Sequence, residues 1–204
     1  MHARYVIKDG FYKKAKKEGY RARSAYKLEE IDKKFSLVRK GDKVLDLGAA
    51  PGSWLQVESG LVGPPGLVVG LDILPMEPLP APNVRIVRAD IRDLDVTLLL
   101  RETGIQAFDV ITCDIAPNLS GVKDVDAARV EALFLAVLGV VERGLKKGGN
   151  FLIKLFFSPD FTAATSGLKA RFSRVTLFKP KASRGVSAEI YLVCIDKKEP
   201  PAPL

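Results

Sequence analysis

A carboxylate stands directly before a glycine-proline turn in residues 45–54, LDLGAAPGSW. The apolar residues around Asp46 predict a strand, the turn with Gly48 and Gly52 a loop, and the residues that follow a helix. This loop has neither the G-x-G-x-x-G spacing of dinucleotide-binding loops nor the Gly-Lys-Ser/Thr of a P-loop. Asp46 would also repel a pyrophosphate. The loop therefore predicts a ligand with a cationic group at this end, and its glycines let the backbone approach that ligand closely.

Three further acids, Asp72, Asp90 and Asp114, also follow apolar runs. Because the carboxyl ends of parallel strands meet at one edge of a sheet, we expect these acids to lie around one site. S-adenosylmethionine suits such a site, since it carries an ammonium, a sulfonium, ribose hydroxyls and no phosphate. Asp46 would face the ammonium directly or through water, Asp72 the ribose, and Asp90 the adenine amino group, with Ile91 packed on the ring. Alternatively, Asp72 starts a turn and Asp90 caps a helix.

A lysine lies inside an apolar run at Lys154, where a charge is costly unless it is paired or functional. Burial disfavours the ammonium form, so a lysine in this position can serve as a base near neutral pH. Glu189 begins the last run, and in an antiparallel strand it would lie near Asp114 and Lys154. Lys27 stands one turn before Ile31 on the apolar stripe of a helix. From pattern alone, an ordinary surface charge is the more common role for Lys27 and Glu189.

The stretch TCDIAPN at residues 112–118 bears on the acceptor group. Enzymes that methylate base amines often carry an acid or amide followed by two prolines and an aromatic that stacks on a flipped base. This stretch has one proline and no aromatic. It therefore favours a hydroxyl acceptor over an amine.

Alternating strands and helices position these residues. Ser24 is a predicted N-cap for the helix that carries Ile31, and Asp126 for a helix over residues 127–146, which Gly148 and Gly149 would end. The alternation predicts an α/β fold with a doubly wound parallel sheet and helices on both faces. The predicted strands occupy residues 43–47, 67–71, 84–89, 108–113, 151–156, 175–178 and 190–194.

Composition and charge narrow the function further. The 204 residues carry a net charge of +8, concentrated at residues 1–27 and 161–188, which predicts a polyanion-binding face, with a solvated surface as the alternative. Neither a signal peptide nor a membrane span is apparent, and Cys113 and Cys194 lie in apolar runs typical of reduced cytosolic thiols. The single histidine, His2, nearly excludes histidine-based triads and makes a zinc site improbable. We expect a cytoplasmic monomer without a metal.

The chain resembles the FtsJ/RrmJ family, the heat-shock ribosomal RNA 2′-O-ribose methyltransferases, from about residue 12 to residue 194. The resemblance is carried by RSAYKL at residues 23–28, DLGAAPGSW at 46–54, DILPM at 72–76, DIAPNLSG at 114–121, Lys154 in its strand, and SR at 183–184 followed by EIY at 189–191. Ser53 replaces a common second glycine of the loop. The residues after Lys154 lack an expected glycine, in a region where we expect RNA to bind.

The resemblance implies a Rossmann-like methyltransferase fold, with a mostly parallel seven-stranded sheet and an antiparallel last strand. It implies that Lys27, Asp114, Lys154 and Glu189 form the catalytic tetrad. It also implies cofactor contacts from Gly48, Gly52, Ser53, Trp54, Asp72, Asp90 and Asp114, although a lone tryptophan such as Trp54 is more often a core residue.

We expect three segments: a basic RNA-binding extension at residues 1–23, the methyltransferase domain at 24–197, and a disordered tail at 198–204. The predicted activity methylates a ribose 2′-hydroxyl of RNA with S-adenosylmethionine and releases S-adenosylhomocysteine. The predicted target is a uridine of large-subunit ribosomal RNA in the assembled subunit, and transfer RNA is the nearest alternative. A small-molecule methyltransferase and a non-enzymatic RNA-binding assembly factor remain as alternatives from other classes.

Overall fold

The computed structural model describes residues 10–116, 120–156, 161–183 and 189–199. Several sequence predictions concern residues outside these ranges: the terminal His2, Pro117 and Asn118 of the motif after the fourth strand, Arg184, and residues 200–204 of the predicted tail. In the described part of the chain, no helix is both long and apolar enough to cross a membrane.

A seven-stranded sheet in the order β3-β2-β1-β4-β5-β7-β6 forms the centre of the fold. The pairs from β3 through β5 are parallel, and β7 runs antiparallel to both β5 and β6. The predicted fold, a mostly parallel sheet with an antiparallel last strand, is therefore confirmed. The strands are β1 Lys43–Leu47, β2 Leu67–Asp72, β3 Val84–Arg88, β4 Phe108–Cys113, β5 Leu145–Phe156, β6 Phe172–Phe178 and β7 Glu189–Lys197.

Helices cover both faces of the sheet, which explains why the central strands read as continuous apolar runs. One buried cluster joins the sheet to α4, α5 and α6, with Val141 and Leu168 among its members. The other joins the opposite face to α2 and α3, with Leu28 and Leu55 among its members. The helices are α1 Gly10–Lys17, α2 Ala25–Phe35, α3 Ser53–Val62, α4 Val96–Thr103, α5 Lys123–Gly144 and α6 Phe161–Arg171.

The predicted ends of α5 are wrong. The helix begins at Lys123 and contains Asp126, whose carboxylate accepts hydrogen bonds from Ser120 and Gly121 in the preceding loop rather than capping the helix end. The predicted glycine stop lies inside β5 instead. There the β4–β5 register shifts, and Gly148, with φ of 76°, occupies the irregular stretch. These contacts with preceding and neighbouring segments override the local capping pattern.

Ser24 does not cap α2 with its side chain. Its hydroxyl lies 2.8 Å from the hydroxyl of Ser53, and its carbonyl accepts a hydrogen bond of 2.9 Å from Trp54 Nε1. Ser24 therefore joins the starts of α2 and α3, so that the helix bearing Lys27 is fixed to the helix that follows the glycine loop.

Candidate active site

The loop between β1 and α3 requires glycine at two positions. Gly48 has φ of 79° and donates its N–H to Leu71 O, and a Cβ there would lie 2.5 Å from Ile115 Cγ1. Gly52 has φ of 101°, a conformation that residues with side chains rarely adopt. The loop is thus held between the ends of β2 and β4, and Ile115 beside Gly48 and Arg21 beside Gly52 fill the space that a side chain would need.

Asp72 ties this loop to the turn after β2. Its Oδ2 accepts the N–H of Ala50 at 2.9 Å, and its Oδ1 accepts the N–H of Leu74 at 2.8 Å. A carboxylate has about four acceptor sites, so both oxygens keep capacity for ribose hydroxyls. This geometry fits the prediction that Asp72 starts a turn. Its contact with the ribose of the cofactor remains a prediction.

Arg21 clamps the same loop from the N-terminal side. Its guanidinium donates to Pro51 O at 3.0 Å, Glu77 O at 2.7 Å and Pro78 O at 2.8 Å, and its N–H donates to Gln56 Oε1. In the sequence, Arg21 is only one of several basic residues in the stretch 1–27. The contacts make it part of the framework of the loop.

The side chains of Ser53 and Trp54 point into the interior of the protein, not to its surface at the carboxyl end of the sheet. Both are almost fully buried, and both contact Ser24 as described above. Trp54 also packs against Tyr191, with 6.0 Å between ring centroids. The first N–H groups of a helix have no partner within that helix. What these two residues offer a ligand is therefore main chain at the start of α3.

Asp90 caps the short 3-10 helix Ile91–Asp93, which follows β3. Its side chain accepts the N–H of Arg92 at 2.9 Å and pairs with the Arg92 guanidinium, and these bonds lower the pKa of Asp90 to about 2. Ile91 is buried in the core. These contacts are those expected if Asp90 caps a helix. Its contact with the adenine amino group remains a prediction.

Asp46 does not line the open edge, because its side chain is buried between β1, β4 and α3. It accepts a hydrogen bond of 3.0 Å from Thr112 Oγ1, which also lies 2.8 Å from Glu58 Oε1. Asp46 and Glu58 are 1% and 0% exposed. Sequence reasoning missed Thr112 and Glu58, since neither residue stands out within its own element.

Two lysine–carboxylate pairs lie at the carboxyl end of the sheet. Lys154 Nζ is 3.0 Å from Asp114 Oδ1 and 2.8 Å from the Asp114 carbonyl oxygen, and its side chain is 8% exposed. Lys27 Nζ on α2 is 2.5 Å from Glu189 Oε1, with both side chains largely buried. The four residues predicted to form a tetrad are thus brought together as two pairs.

Tyr191 connects the two pairs and was missed by the sequence analysis. Its hydroxyl donates to Asp114 Oδ1 at 2.9 Å, and Lys27 Nζ lies 5.9 Å from its ring centroid. Tyr191 is paired with Lys154 across β5 and β7. Its position two residues after Glu189 was a usable signal, because residues i and i+2 of a strand share a face.

The electrostatics favour charge separation within the pairs. Burial raises the pKa of Glu189, but the hydrogen bond and charge of Lys27 outweigh it, so the pKa lies below its usual range. Burial, and after it the charge of Asp114, raises the pKa of Tyr191 well above its usual range. Tyr191 is therefore a neutral hydrogen-bond donor to Asp114 at any ordinary pH.

Described parts of the two basic segments, α1 and residues 181–182, meet beside α2. Helix α1 packs through Ala15 against Tyr26 and Ala182, and Arg23 donates to the carbonyl of Ala182. On the other side, Glu30 accepts the N–H of Lys181 at 2.8 Å. The basic residues of α1 and Lys181 in the described part of the loop after β6 thus lie on neighbouring parts of the surface.

In the described part of the chain, no group of three or more His, Cys, Asp or Glu side chains could hold a metal ion. The two cysteines, Cys113 and Cys194, are free and buried. Burial raises the pKa of the Cys113 thiol to about 12, so that this thiol is unreactive at neutral pH.

Comparisons with known proteins agree on one family. The family described as FtsJ-like methyltransferase matches residues 20–197. A protein of Bdellovibrio bacteriovorus named ribosomal RNA large subunit methyltransferase E is 42% identical over 195 residues, which cover 95% of this chain and 99% of the relative. A protein of the same name from Methanothermobacter thermautotrophicus is 44% identical over 192 residues, covering 94% and 90%.

A solved structure is similar as well. The crystal structure described as a ribosomal RNA methyltransferase of Plasmodium falciparum superposes with a TM-score of 0.77 at 30% identity. It covers 89% of this chain and 100% of that one.

Proposed function

The chain belongs to the FtsJ-like methyltransferase family, and we propose that it methylates a ribose 2′-hydroxyl of RNA with S-adenosylmethionine. The proposed substrate is a uridine of large-subunit ribosomal RNA in the assembled subunit, in keeping with the names of the relatives. The observation that carries the proposal is the arrangement of Lys154–Asp114 and Lys27–Glu189 beside the glycine loop. This arrangement offers a base and a second cation next to a site for a cationic cofactor.

The residues around the loop fit S-adenosylmethionine. We assign main-chain contacts with the ligand to Gly48 and Gly52, Asp72 can accept from its ribose hydroxyls, and Asp90 and Asp114 complete an acidic rim. Among the described residues, the glycine loop contains no lysine that could bind a phosphate as the lysine of a P-loop does. When bound, S-adenosylmethionine supplies a sulfonium-linked methyl group for the hydroxyl oxygen to attack and leaves as S-adenosylhomocysteine.

Lys154 accepts the proton of the 2′-hydroxyl. In its amine form, Nζ can take this proton, and the resulting ammonium is held by Asp114 Oδ1 at 3.0 Å and by the Asp114 carbonyl at 2.8 Å. Proton transfer to a positioned base contributes about 10²- to 10⁴-fold to a rate. Asp114 thus stabilises the product state of the proton transfer.

Lys27 and Glu189 position the nucleotide. Lys27 supplies positive charge at the side of the site nearest the basic segments, and Glu189 fixes its ammonium at 2.5 Å. Much of the remaining rate comes from holding the hydroxyl and the methyl group in line.

Basic residues beside Lys27 contact RNA phosphates. Residues 1–23 act as an RNA-binding extension, residues 24–197 as the methyltransferase domain and residues 198–204 as a tail. Because neutralised phosphates release counterions, RNA binding weakens steeply with salt. We place the enzyme in the cytoplasm as a monomer, where its ribosomal substrate is assembled.

The test uses purified protein and radiolabelled S-adenosylmethionine, with large ribosomal subunits lacking the modification, their extracted RNA and transfer RNA as parallel acceptors. Labelled RNA is then hydrolysed with alkali. Alkali-resistant labelled dinucleotides from the subunits are expected, because a 2′-O-methyl group blocks cleavage of the neighbouring phosphodiester.

Two lysine variants on β5 control the assay. Lys154→Ala should bind S-adenosylmethionine and transfer methyl groups about 10²- to 10⁴-fold more slowly, whereas Lys147→Ala should behave as wild type, since Lys147 pairs with Glu199 on an exposed surface. Label on bases would overturn the ribose mechanism, and label only in transfer RNA would overturn the ribosomal substrate. Cofactor binding with no transfer to any pool would favour a small-molecule or non-enzymatic role.

A further inference from the structure

Three polar side chains meet in the interior below the glycine loop. Thr112 Oγ1 lies 3.0 Å from Asp46 Oδ1 and 2.8 Å from Glu58 Oε1. Among the described residues, the second oxygens, Asp46 Oδ2 and Glu58 Oε2, are buried without a hydrogen-bond partner. A buried carboxylate in such a place is costly unless it is paired.

Counting protons constrains the charge state of this trio. A threonine hydroxyl has one proton, so it can donate to one carboxyl oxygen only. An ionised carboxylate is an acceptor and cannot donate back. If both carboxyls were ionised, one of the two short contacts would bring an oxygen lone pair against another. One of the two acids must therefore be protonated and donate to Thr112 Oγ1.

We propose that Glu58 is a neutral carboxylic acid that donates to Thr112 Oγ1, so that the Thr112 proton points to Asp46 and leaves Asp46 as the ionised member of the pair when the cofactor is bound. Glu58 is then a positioning residue that acts through Thr112. The assignment of the negative charge to Asp46 rests on the proposed function, because the ammonium and sulfonium of S-adenosylmethionine would favour a negative charge there.

The surroundings of the two acids support this order. Asp72 at the end of β2 and Asp114 at the end of β4 are the charged groups that act on Asp46 after burial, and Asp46 is the one that acts on Glu58. Burial and these neighbours raise the pKa values of both Asp46 and Glu58 above their usual ranges. A cationic ligand at the carboxyl end of the sheet offsets the repulsion that Asp72 and Asp114 exert on a negative charge at Asp46. Because these two acids act on Asp46, the ligand favours ionisation of Asp46 before that of Glu58.

The trio also joins the parts of the site. Asp46 lies two residues before Gly48, Thr112 lies two residues before Asp114, and Glu58 lies on α3, the helix that begins at Ser53. A neutral donor at Glu58 holds α3 against β4 without adding a second buried charge. The relative position of the loop and of Asp114 therefore depends on one retained proton.

Infrared spectroscopy of the protein saturated with S-adenosylmethionine at neutral pH tests the proton directly. Wild type should show the carbonyl band of a protonated carboxylic acid; Glu58→Gln should lose it, and Glu131→Gln, the same change at an exposed position on α5, should keep it. Absence of the band in wild type, or its persistence in Glu58→Gln with loss in Asp46→Asn, would overturn the assignment.

Two variants at Thr112 keep the test decisive if Glu58→Gln does not fold. Thr112→Val removes the acceptor and should shift the band, whereas Thr112→Ser should leave it in place. An unshifted band in Thr112→Val would contradict the proposed hydrogen bond.

The dissociation constant for S-adenosylmethionine tests the positioning role. Glu58→Gln keeps a neutral donor and should bind within about twofold of wild type, whereas Thr112→Val should bind about tenfold more weakly, as for the loss of a bond to a charged group. Equal binding by all three would remove the positioning role. A correct band with no cofactor binding in wild type would instead refute the proposed function and leave the proton in place.

Discussion

Two lysines are buried at opposite ends of the same sheet, and their partners differ. Lys197 on β7 donates to the carbonyls of Val141, Glu142 and Leu145, each at 2.9 Å, and so satisfies the end of α5. Lys154 on β5 lies against the carboxylate and carbonyl of Asp114 at the open edge. A lysine inside an apolar strand is therefore not by itself a sign of catalysis.

The identity of the partners distinguishes the two roles. Three main-chain carbonyls can accept all three protons of an ammonium group and so stabilise its charged form. Burial lowers the pKa of Lys197, and the negative charge of Glu142 partly opposes this shift. In the proposed mechanism, the Asp114 carboxylate beside the glycine loop instead holds the charge that appears when the Lys154 amine accepts a proton.

The largest expected effect is on catalysis by Lys154→Met. Methyl transfer should fall by about 10²- to 10⁴-fold because the base is lost, while the midpoint of unfolding stays close to that of wild type. Single-turnover rates and thermal unfolding of the same preparation measure both. Loss of stability without loss of rate would make Lys154 equivalent to Lys197 and end the distinction.

Lys197→Met should do the reverse. Three carbonyls at the end of α5 lose their donor, which lowers the free energy of unfolding by about 2–3 kcal/mol, and the rate per folded molecule stays the same. Denaturant titration and the rate measured well below the unfolding midpoint separate these effects. A large loss of rate in a fully folded Lys197→Met protein would contradict a purely structural role.

Glu58 shows a third way of burying an ionisable group, which is to retain a proton. The folded pKa of Glu58 is raised above its usual value of 4.5, so folded protein binds more protons than unfolded protein above that pH. Its contribution to stability is complete below pH 4.5 and is lost as the pH rises towards the folded pKa, by about 1.4 kcal/mol per pH unit for one proton.

Denaturant titrations of wild type and Glu58→Gln across this pH range measure the slope. Wild type should lose stability with rising pH more steeply than Glu58→Gln, and Glu131→Gln should follow wild type. Parallel curves for wild type and Glu58→Gln would mean that Glu58 is ionised in the folded protein.

The smallest expected effect comes from Tyr191→Phe. Removing the hydroxyl that donates to Asp114 should lower kcat/KM by about three- to tenfold and leave the affinity for S-adenosylmethionine unchanged. Steady-state kinetics and equilibrium binding test this. A loss comparable to that of Lys154→Met would place Tyr191 in the proton transfer itself.

The sheet and the convergence of its end residues were predictable from the sequence. Continuous apolar runs mark strands that are covered on both faces, and the doubly wound arrangement then brings Asp72, Asp114 and Lys154 to one edge. The position of Glu189 depended on strand direction, since an antiparallel β7 carries it to the carboxyl end of β5. Its pairing with Lys27 did not follow from the pattern, which favoured ordinary surface charges for both residues.

Contacts between distant elements were not predictable in the same way. Asp126 matches a capping pattern but reaches a preceding loop, and Lys197 reads like an end-of-strand surface lysine although only 6% of it is exposed. The bond between Thr112 and Glu58 joins residues 54 positions apart. Local patterns carry no information about which side chains the packing brings into contact.

The Arg21 clamp has a consequence for how the chain can be divided. A boundary drawn where the charge pattern changes, after residue 23, assigns Arg21 to a detachable extension. Its bonds to Pro51, Glu77 and Pro78 make it a fixed support of the glycine loop. A truncation meant to remove only basic residues should therefore end before Tyr20, since a longer one would remove this support together with them.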